Sequence, residues 1–202
     1  MKKRLLAALM LASPLFANMA SLLIMPTDAT VVAGVYVGSS TVLSRVKVES
    51  TNANLDGRID DIDDTALFGG GYLGLQNKHY RFSVSYDIDG NDNLELQRLL
   101  INFDYRIGVQ GGFRPMAGFG VGASTSRYSM DARKIKQDKG AIAVRGGVEY
   151  FIDSHSSLEF LAEYTYMLDS GGDSFYSDDE FTDYDITSQH SIMFRVGYSF
   201  TF

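Results

Sequence analysis

From residue 30 to the C-terminus, apolar and polar positions alternate with a period of two through eight segments, at about 31–43, 65–76, 79–88, 95–106, 113–126, 140–152, 157–168 and 188–202. Such alternation predicts strands whose two faces meet different surroundings. It is strictest at the end of the chain. There Ile192, Phe194, Val196, Tyr198, Phe200 and Phe202 share one face, and Ser191, Met193, Arg195, Gly197, Ser199 and Thr201 the other. Turn-forming residues separate several segments: Asn77 and Lys78, Gly90 to Asn93, Gly108, Gly111 and Gly112, and Asp153 to His155. Connections after even-numbered segments are tight, whereas three of the four after odd-numbered segments are looser or long.

The two faces differ sharply in chemistry. On the apolar face lie Tyr80, Phe82, Val84, Tyr86 and Ile88 in the third segment, Leu99, Ile101, Phe103 and Tyr105 in the fourth, and Leu158, Phe160, Ala162, Tyr164 and Tyr166 in the seventh. The opposite parity carries nearly all the charge: Arg81, Asp87, Arg98, Asp104, Arg106, Arg114, Arg145, Glu149, Glu159, Glu163 and Arg195, six positive and five negative. In the glycine-rich first segments, Val35 and Val37 are expected outside and Tyr36 inside. A soluble sandwich or calycin-like barrel would bury the apolar face, and a membrane barrel would turn it outward to lipid. Aromatic residues at strand ends favour the membrane barrel. Tyr80, Tyr105, Phe113, Tyr150 and Phe202 all fall at strand termini on the apolar parity and predict an aromatic girdle at the rim that carries the tight turns.

Composition narrows the class further. With 20 Gly, 13 Phe, 12 Tyr and only 3 Pro among 202 residues, the chain suits an all-β protein, and beyond residue 25 no apolar run is long enough for a membrane helix. Cysteine is absent, which excludes disulfides and thiolate metal sites. Residues 1–20 read as a secretory signal: Lys2, Lys3 and Arg4, then the apolar run from Leu5 to Ala12, then small residues, with cleavage after Ala17, Ala20 or Ala29. The competing reading, an uncleaved helix from Leu5 to Met25, is interrupted by Pro14, Asn18 and Ser21. Losing the three basic residues would shift the formal net charge from -7 to -10, which argues against nucleic-acid binding.

The ending Gly197-x-x-Phe200-x-Phe202 resembles the C-terminal targeting strand of bacterial outer-membrane β-barrel proteins. With AGVYVG at 33–38, RPMAGFGVGAS at 114–124 and SLEFLAEYTY at 157–166, residues 30–202 resemble the small eight-stranded outer-membrane barrels of the OmpA/OmpX type. The resemblance implies an all-β, eight-stranded antiparallel up-and-down transmembrane β-barrel in the bacterial outer membrane. Both termini would be periplasmic, and Gly197, Phe200 and Phe202 would be read by the outer-membrane assembly machinery. It further implies a monomer without a cofactor, in contact with outer-membrane lipid and lipopolysaccharide. Unlike full-length OmpA, the chain stops on its eighth strand without a peptidoglycan-binding domain, so a tethering role is not expected.

Eight strands enclose a space about wide enough for side chains to fill, and ionisable groups there must pair. The expectation is a lumenal ion-pair network of Arg81, Arg98, Asp104, Arg145, Glu149, Glu163 and Arg195, with Arg145, Glu163 and Arg195 neighbours near mid-height. That network is either a structural plug or the lining of a narrow porin-like channel for small solutes. The first and fourth outer connections are acidic (Asp56, Asp60, Asp61, Asp63 and Asp64; Asp169, Asp173, Asp178, Asp179, Glu180, Asp183 and Asp185) and offer hard oxygen ligands. Their spacing matches no EF-hand, so solvated loops and no resident metal are expected. The third connection, with Arg127, Arg133, Lys134, Lys136 and Lys139, could meet lipopolysaccharide phosphates.

His79 and His155 read as polar turn residues. His190, two residues after Ser188, superficially resembles a lipid A deacylase site, but the order is Ser-x-His, the reverse of that family, and no partner carboxylate is evident. The expectation is therefore a non-enzymatic barrel whose loops serve envelope integrity or adhesion to a host or surface ligand, with a lipid A-modifying enzyme as a remote alternative.

Overall fold

A computed structural model describes residues 28–50, 59–90, 94–108, 112–130, 133–168, 173–177 and 180–202. The expected signal segment 1–20 and the acidic residues Asp56, Asp169, Asp178 and Asp179 lie outside the described residues. The chain forms β1 (Thr30–Ser50), β2 (Ile59–Gln76), β3 (Tyr80–Gly90), β4 (Leu94–Arg106), β5 (Phe113–Met130), β6 (Arg133–Phe151), β7 (Ser156–Met167), β8 (Asp173–Ser177) and β9 (Glu180–Thr201). All pairings are antiparallel between neighbours, and β9 pairs with both β7 and β1. Strands β1 to β7 and β9 therefore close an eight-stranded barrel, with β8 an extra strand hairpinned onto β9.

The register fixes the barrel's dimensions. Following paired residues from Gly34 through Tyr72, Ser85, Leu100, Gly122, Ala141, Met167 and Gln189 returns to Ser44, ten residues further along β1. Eight strands with that stagger tilt by about 40° and enclose a cylinder of about 8 Å radius. Each residue then advances about 2.5 Å along the axis. The shortest barrel strands, of 11, 12 and 13 residues, just cross a hydrocarbon layer of about 30 Å.

The remaining strands have 18 to 22 residues and rise beyond the others at one end. The segment boundaries expected from the sequence are corrected there. Asp60, Asp61, Asp63 and Asp64 belong to β2, Arg127 to β5, Arg133, Lys134, Lys136 and Lys139 to β6, Asp173 to β8, and Glu180, Asp183 and Asp185 to β9. Where described, the inward residues of these extensions, such as Ser44, Gln137 and Lys139, are buried but polar, so the ladder continues without the apolar–polar alternation that marks a strand in sequence.

Side-chain direction follows parity all round the cylinder. Outward-facing Val35, Val37, Tyr86, Leu99, Ile101, Phe160 and Tyr164 are exposed, while Tyr36 is buried inside. The inner wall is closed by large side chains lying over glycines of the adjacent strand. A Cβ at Gly34 would run into the Tyr72 ring, one at Gly38 would sit 2.6 Å from Phe68, and one at Gly70 2.7 Å from Tyr36. Asn102 lies against Gly120 in the same way, with 2.5 Å between its Oδ1 and such a Cβ. These glycines leave room for a neighbour's side chain.

The tight end is built by local capping. Asn77 Oδ1 accepts the backbone N–H groups of His79 and Tyr80 at 2.9 and 2.8 Å. Asp153 Oδ1 does the same for His155 and Ser156 at 2.7 and 2.8 Å. Gly112 turns the chain into β5 at φ 84°, a left-handed conformation that glycine adopts without a Cβ clash.

Candidate functional site

The inward parity of β3, β4, β6, β7 and β9 stacks the charged side chains in tiers along the lumen. In the tier nearest the tight turns, Glu149 is the common acceptor. Its carboxylate receives Arg106 Nη2 at 2.6 Å, Arg81 Nη2 at 3.2 Å and Ser157 Oγ at 2.8 Å, and Arg114 approaches to 3.8 Å. Arg81 also reaches Glu159 at 2.6 Å, where the Tyr72 hydroxyl donates at the same distance. Register makes this possible, because Glu149 and Glu159 are directly paired across β6 and β7.

In the middle tier Arg145 donates from Nε and Nη2 to the two oxygens of Asp104, both at 2.6 Å. That two-pronged geometry suits a guanidinium and a carboxylate. Glu163 stands 3.8 Å from Arg145 and 3.9 Å from Arg195. Arg195 lies over the Tyr36 ring, 4.4 Å from its centre. Arg145, Glu163 and Arg195 are thus neighbours, but the closest partner of Arg145 is Asp104. Above them, Arg98 donates to Asp87 at 2.7 Å and to Ser191 at 3.2 Å. Burial is nearly complete: Arg81, Arg98, Arg145, Arg195, Asp104, Glu149 and Glu163 are all buried, and Arg114 is the most accessible of the inner arginines.

Some members of the lumen escaped the sequence reading. Asp89 is buried and faces inward, but it lies one residue past the segment read as strand. Lys139, expected in a basic connection, is instead buried on the inner face of β6, because the ladder continues outward past it. Asn102, Gln137, Gln189 and Tyr72 also line the interior. Their parity was readable; their uncharged side chains gave no signal.

Outside, the rim aromatics gather in groups. Tyr80 and Tyr105 have ring centres 5.5 Å apart, Phe113 and Tyr150 4.8 Å, and Phe200 and Phe202 5.1 Å. These three pairs sit at the tight-turn end of different strand pairs. At the closure seam, Phe202 donates its N–H to Val31 O at 2.9 Å. Gly197 faces inward, where a Cβ would stand 3.2 Å from that of Tyr36.

His190 lies on the outer surface with Nδ1 2.6 Å from the Tyr164 hydroxyl and its ring 5.1 Å from that of Tyr166. Among the described residues, neither Ser188 nor a carboxylate hydrogen-bonds to it. No group of three or more His, Cys, Asp or Glu among the described residues converges as a metal site.

A family model described as outer membrane protein beta-barrel domain matches residues 5–200. No curated protein matches the sequence. Among solved structures, the chain is similar to the crystal structure of Neisserial surface protein A, with 16% identity, 83% of this chain and 97% of that chain covered, and a TM-score of 0.55. It is also similar to the solid-state NMR structure of the outer membrane protein AlkL in lipid bilayers, with 13% identity, coverage of 88% and 92%, and a TM-score of 0.53. At these identities the likeness shows the fold.

Proposed function

Because the chain belongs to the outer membrane protein beta-barrel domain family, we propose that it is a non-enzymatic barrel of the bacterial outer membrane. In this reading its lumen is plugged by charge, and its outer extensions serve envelope integrity or adhesion to a surface ligand. The observation that carries the reading is the interior itself. Arginines and carboxylates pair at 2.6 to 3.2 Å in successive tiers, and Tyr72, Phe68 and Tyr36 lie over the glycines beside them. Paired buried charge of this kind resists hydration, because a conducting path needs water where these groups hold one another. The long strand ends on the side opposite the tight turns are the natural seat of contacts, since connecting segments carry most recognition.

The same reading places both termini in the periplasm and residues 1–20 in a cleaved signal. It gives Gly197, Phe200 and Phe202 a role in recognition by the assembly machinery, and seats a monomer among lipid and lipopolysaccharide.

The test is single-channel recording from purified, refolded protein in a planar bilayer, alongside adhesion by cells expressing variants shortened between residues 44 and 64. The expected result is no sustained conductance together with lost adhesion. A stable, large unitary current would overturn the plug and favour the narrow-channel alternative.

A further inference from the structure

The arginines of the lumen are unequally served. Arg81, Arg98, Arg106 and Arg145 each have a carboxylate oxygen at 2.6 or 2.7 Å. Arg114 and Arg195 have no hydrogen bond among the described residues, and the Nε of each is buried without a partner. Arg195 is enclosed at mid-height between Tyr36 and Glu163. Arg114 is placed differently: it follows the Gly112 turn closely on β5, and its side chain is 13% exposed at the mouth of the lumen.

The carboxylates around it are already taken. Arg114 is directly paired with Glu149 across β5 and β6, yet the Oε2 that it approaches at 3.8 Å takes Arg106 Nη2 at 2.6 Å, and Oε1 takes Arg81 and Ser157. Glu159 is held by Arg81 and Tyr72, both oxygens of Asp104 by Arg145, and Asp153 by the backbone of its own turn. Among the described residues no second carboxylate lies within 4.0 Å of Arg114. Arg81, Arg106 and Arg114 thus share Glu149 and Glu159, one cation more than anions. Arg106 also has a buried Nε without a partner. The guanidinium carbon of Arg114 stands 4.6 Å from the centre of the Phe151 ring. A ring covers the flat face of a guanidinium and leaves its N–H edge to meet a planar, two-oxygen anion.

We propose that the mouth of the lumen at the tight-turn end binds one carboxylate group, with Arg114 as the two-pronged donor and Arg106 beside it. A single negative charge matches the surplus, whereas the Glu149 carboxylate, 3.8 Å from Arg114, opposes the second charge of a phosphate. That such a carboxylate belongs to a periplasmic molecule rests on the orientation proposed above; the site does not.

The experiment is an NMR titration of the refolded, nitrogen-15-labelled full chain in detergent micelles at neutral pH. Arginine Nε–Hε signals are followed while sodium acetate replaces sodium chloride at constant ionic strength, which removes screening as a cause. The signals of Arg114 and Arg106 are expected to shift and saturate, and those of Arg98 and Arg145 to stay. In the same exchange the unfolding constant in urea should fall by a factor of 1 + [acetate]/Kd, about elevenfold at ten times Kd. Arg114→Gln should abolish that fall, and the wild-type titration decides alone where this variant does not fold. Signals unmoved by acetate would mean that water fills the mouth, and would overturn the proposal. So would shifts spread over all the lumenal arginines, a tighter response to inorganic phosphate than to acetate, or an acetate effect retained by Arg114→Gln.

Discussion

Glu149→Gln exchanges one carboxylate oxygen for an amide at the point where three guanidiniums meet, Arg106 and Arg81 at 2.6 and 3.2 Å and Arg114 at 3.8 Å. Arg81 keeps Glu159 at 2.6 Å. Arg106, however, is left with the Asn77 carbonyl at 2.8 Å and no anion, since its one ion pair is the 2.6 Å contact with Glu149. Removing one partner of a buried pair costs about 3–5 kcal/mol, because the other charge stays buried and unpaired. An unfolding constant raised by roughly a hundredfold to several thousandfold is therefore expected. The variant also loses the contacts of Glu149 with Arg81 at 3.2 Å and Arg114 at 3.8 Å and the charge on its bond to Ser157 at 2.8 Å; Arg81 retains Glu159 and Arg114 is the more accessible arginine, so these losses are the smaller ones.

The double variant Glu149→Gln with Arg106→Met removes the stranded charge and should recover most of the loss, to within about 1–2 kcal/mol of the wild type. The chain has 12 Tyr and no Trp, so unfolding in urea is best followed by the folded and unfolded bands of heat-modifiable gel migration. A single variant within about 1 kcal/mol of the wild type would refute the reasoning. It would mean that water screens the pair, and hence that the lumen is wet enough to conduct.

Three further outcomes are expected. Gly38→Ala would drive a methyl against the Phe194 carbonyl at the β1–β9 seam and should cost about 1–3 kcal/mol in the same assay. Gly69→Ala, whose Cβ would meet nothing nearer than 3.9 Å, should be close to neutral, and equal losses in the two would discount the interlocked wall. Phe202→Ala should lower the amount of barrel in fractionated outer membranes and leave in-vitro unfolding nearly unchanged; an unaltered cellular level would remove the assembly role. At the β6–β7 turn, the His155 backbone N–H holds the Asp153 carboxyl below the usual carboxylate range. Its contribution is thus present above the unfolded value of about 3.9 and is lost as pH falls through the lower folded value. Asp153→Asn should flatten that part of the stability profile, and identical acid limbs in the two proteins would exclude the effect.

Parity made the fold and much of the interior legible, because lipid outside and paired charge inside impose opposite chemistry on successive residues. Arg81, Arg98, Arg145, Glu149, Glu163 and Arg195 could be placed inward from position alone. Their partners could not, since a tilt of about 40° brings together side chains that stagger, not sequence spacing, sets level with one another. Asp104 and Arg145 illustrate this, being two strands apart and yet joined by two hydrogen bonds. The outward continuation of β1, β2, β5, β6 and β9 was hidden for another reason: its described inward residues, such as Ser44, Gln137 and Lys139, are buried but polar, so no apolar–polar period of two marks it in sequence. Asp89 and Lys139 were missed at that boundary, where strand and loop residues have the same composition.

A barrel with a closed interior could in principle fill it with aliphatic side chains, and the charges here answer why it does not. If both faces were apolar, a slip of one residue in pairing would exchange inside for outside at little cost, and register would be weakly specified. With the present interior, a one-residue slip of β6 would carry Arg145 from Asp104 to the lipid face, a change of about 2–4 kcal/mol for an arginine near the bilayer centre. Glu149 would move with it, and so would Arg195 if β9 slipped. Because β9 pairs with both β7 and β1, an error on any strand must be matched at the seam, where Arg195 finds Tyr36 and Glu163 in one register only. The ionic tiers therefore act on the choice of register as much as on the stability of the finished cylinder. Their replacement in pairs by apolar residues should yield barrels that are stable and slow to reach a single closed form.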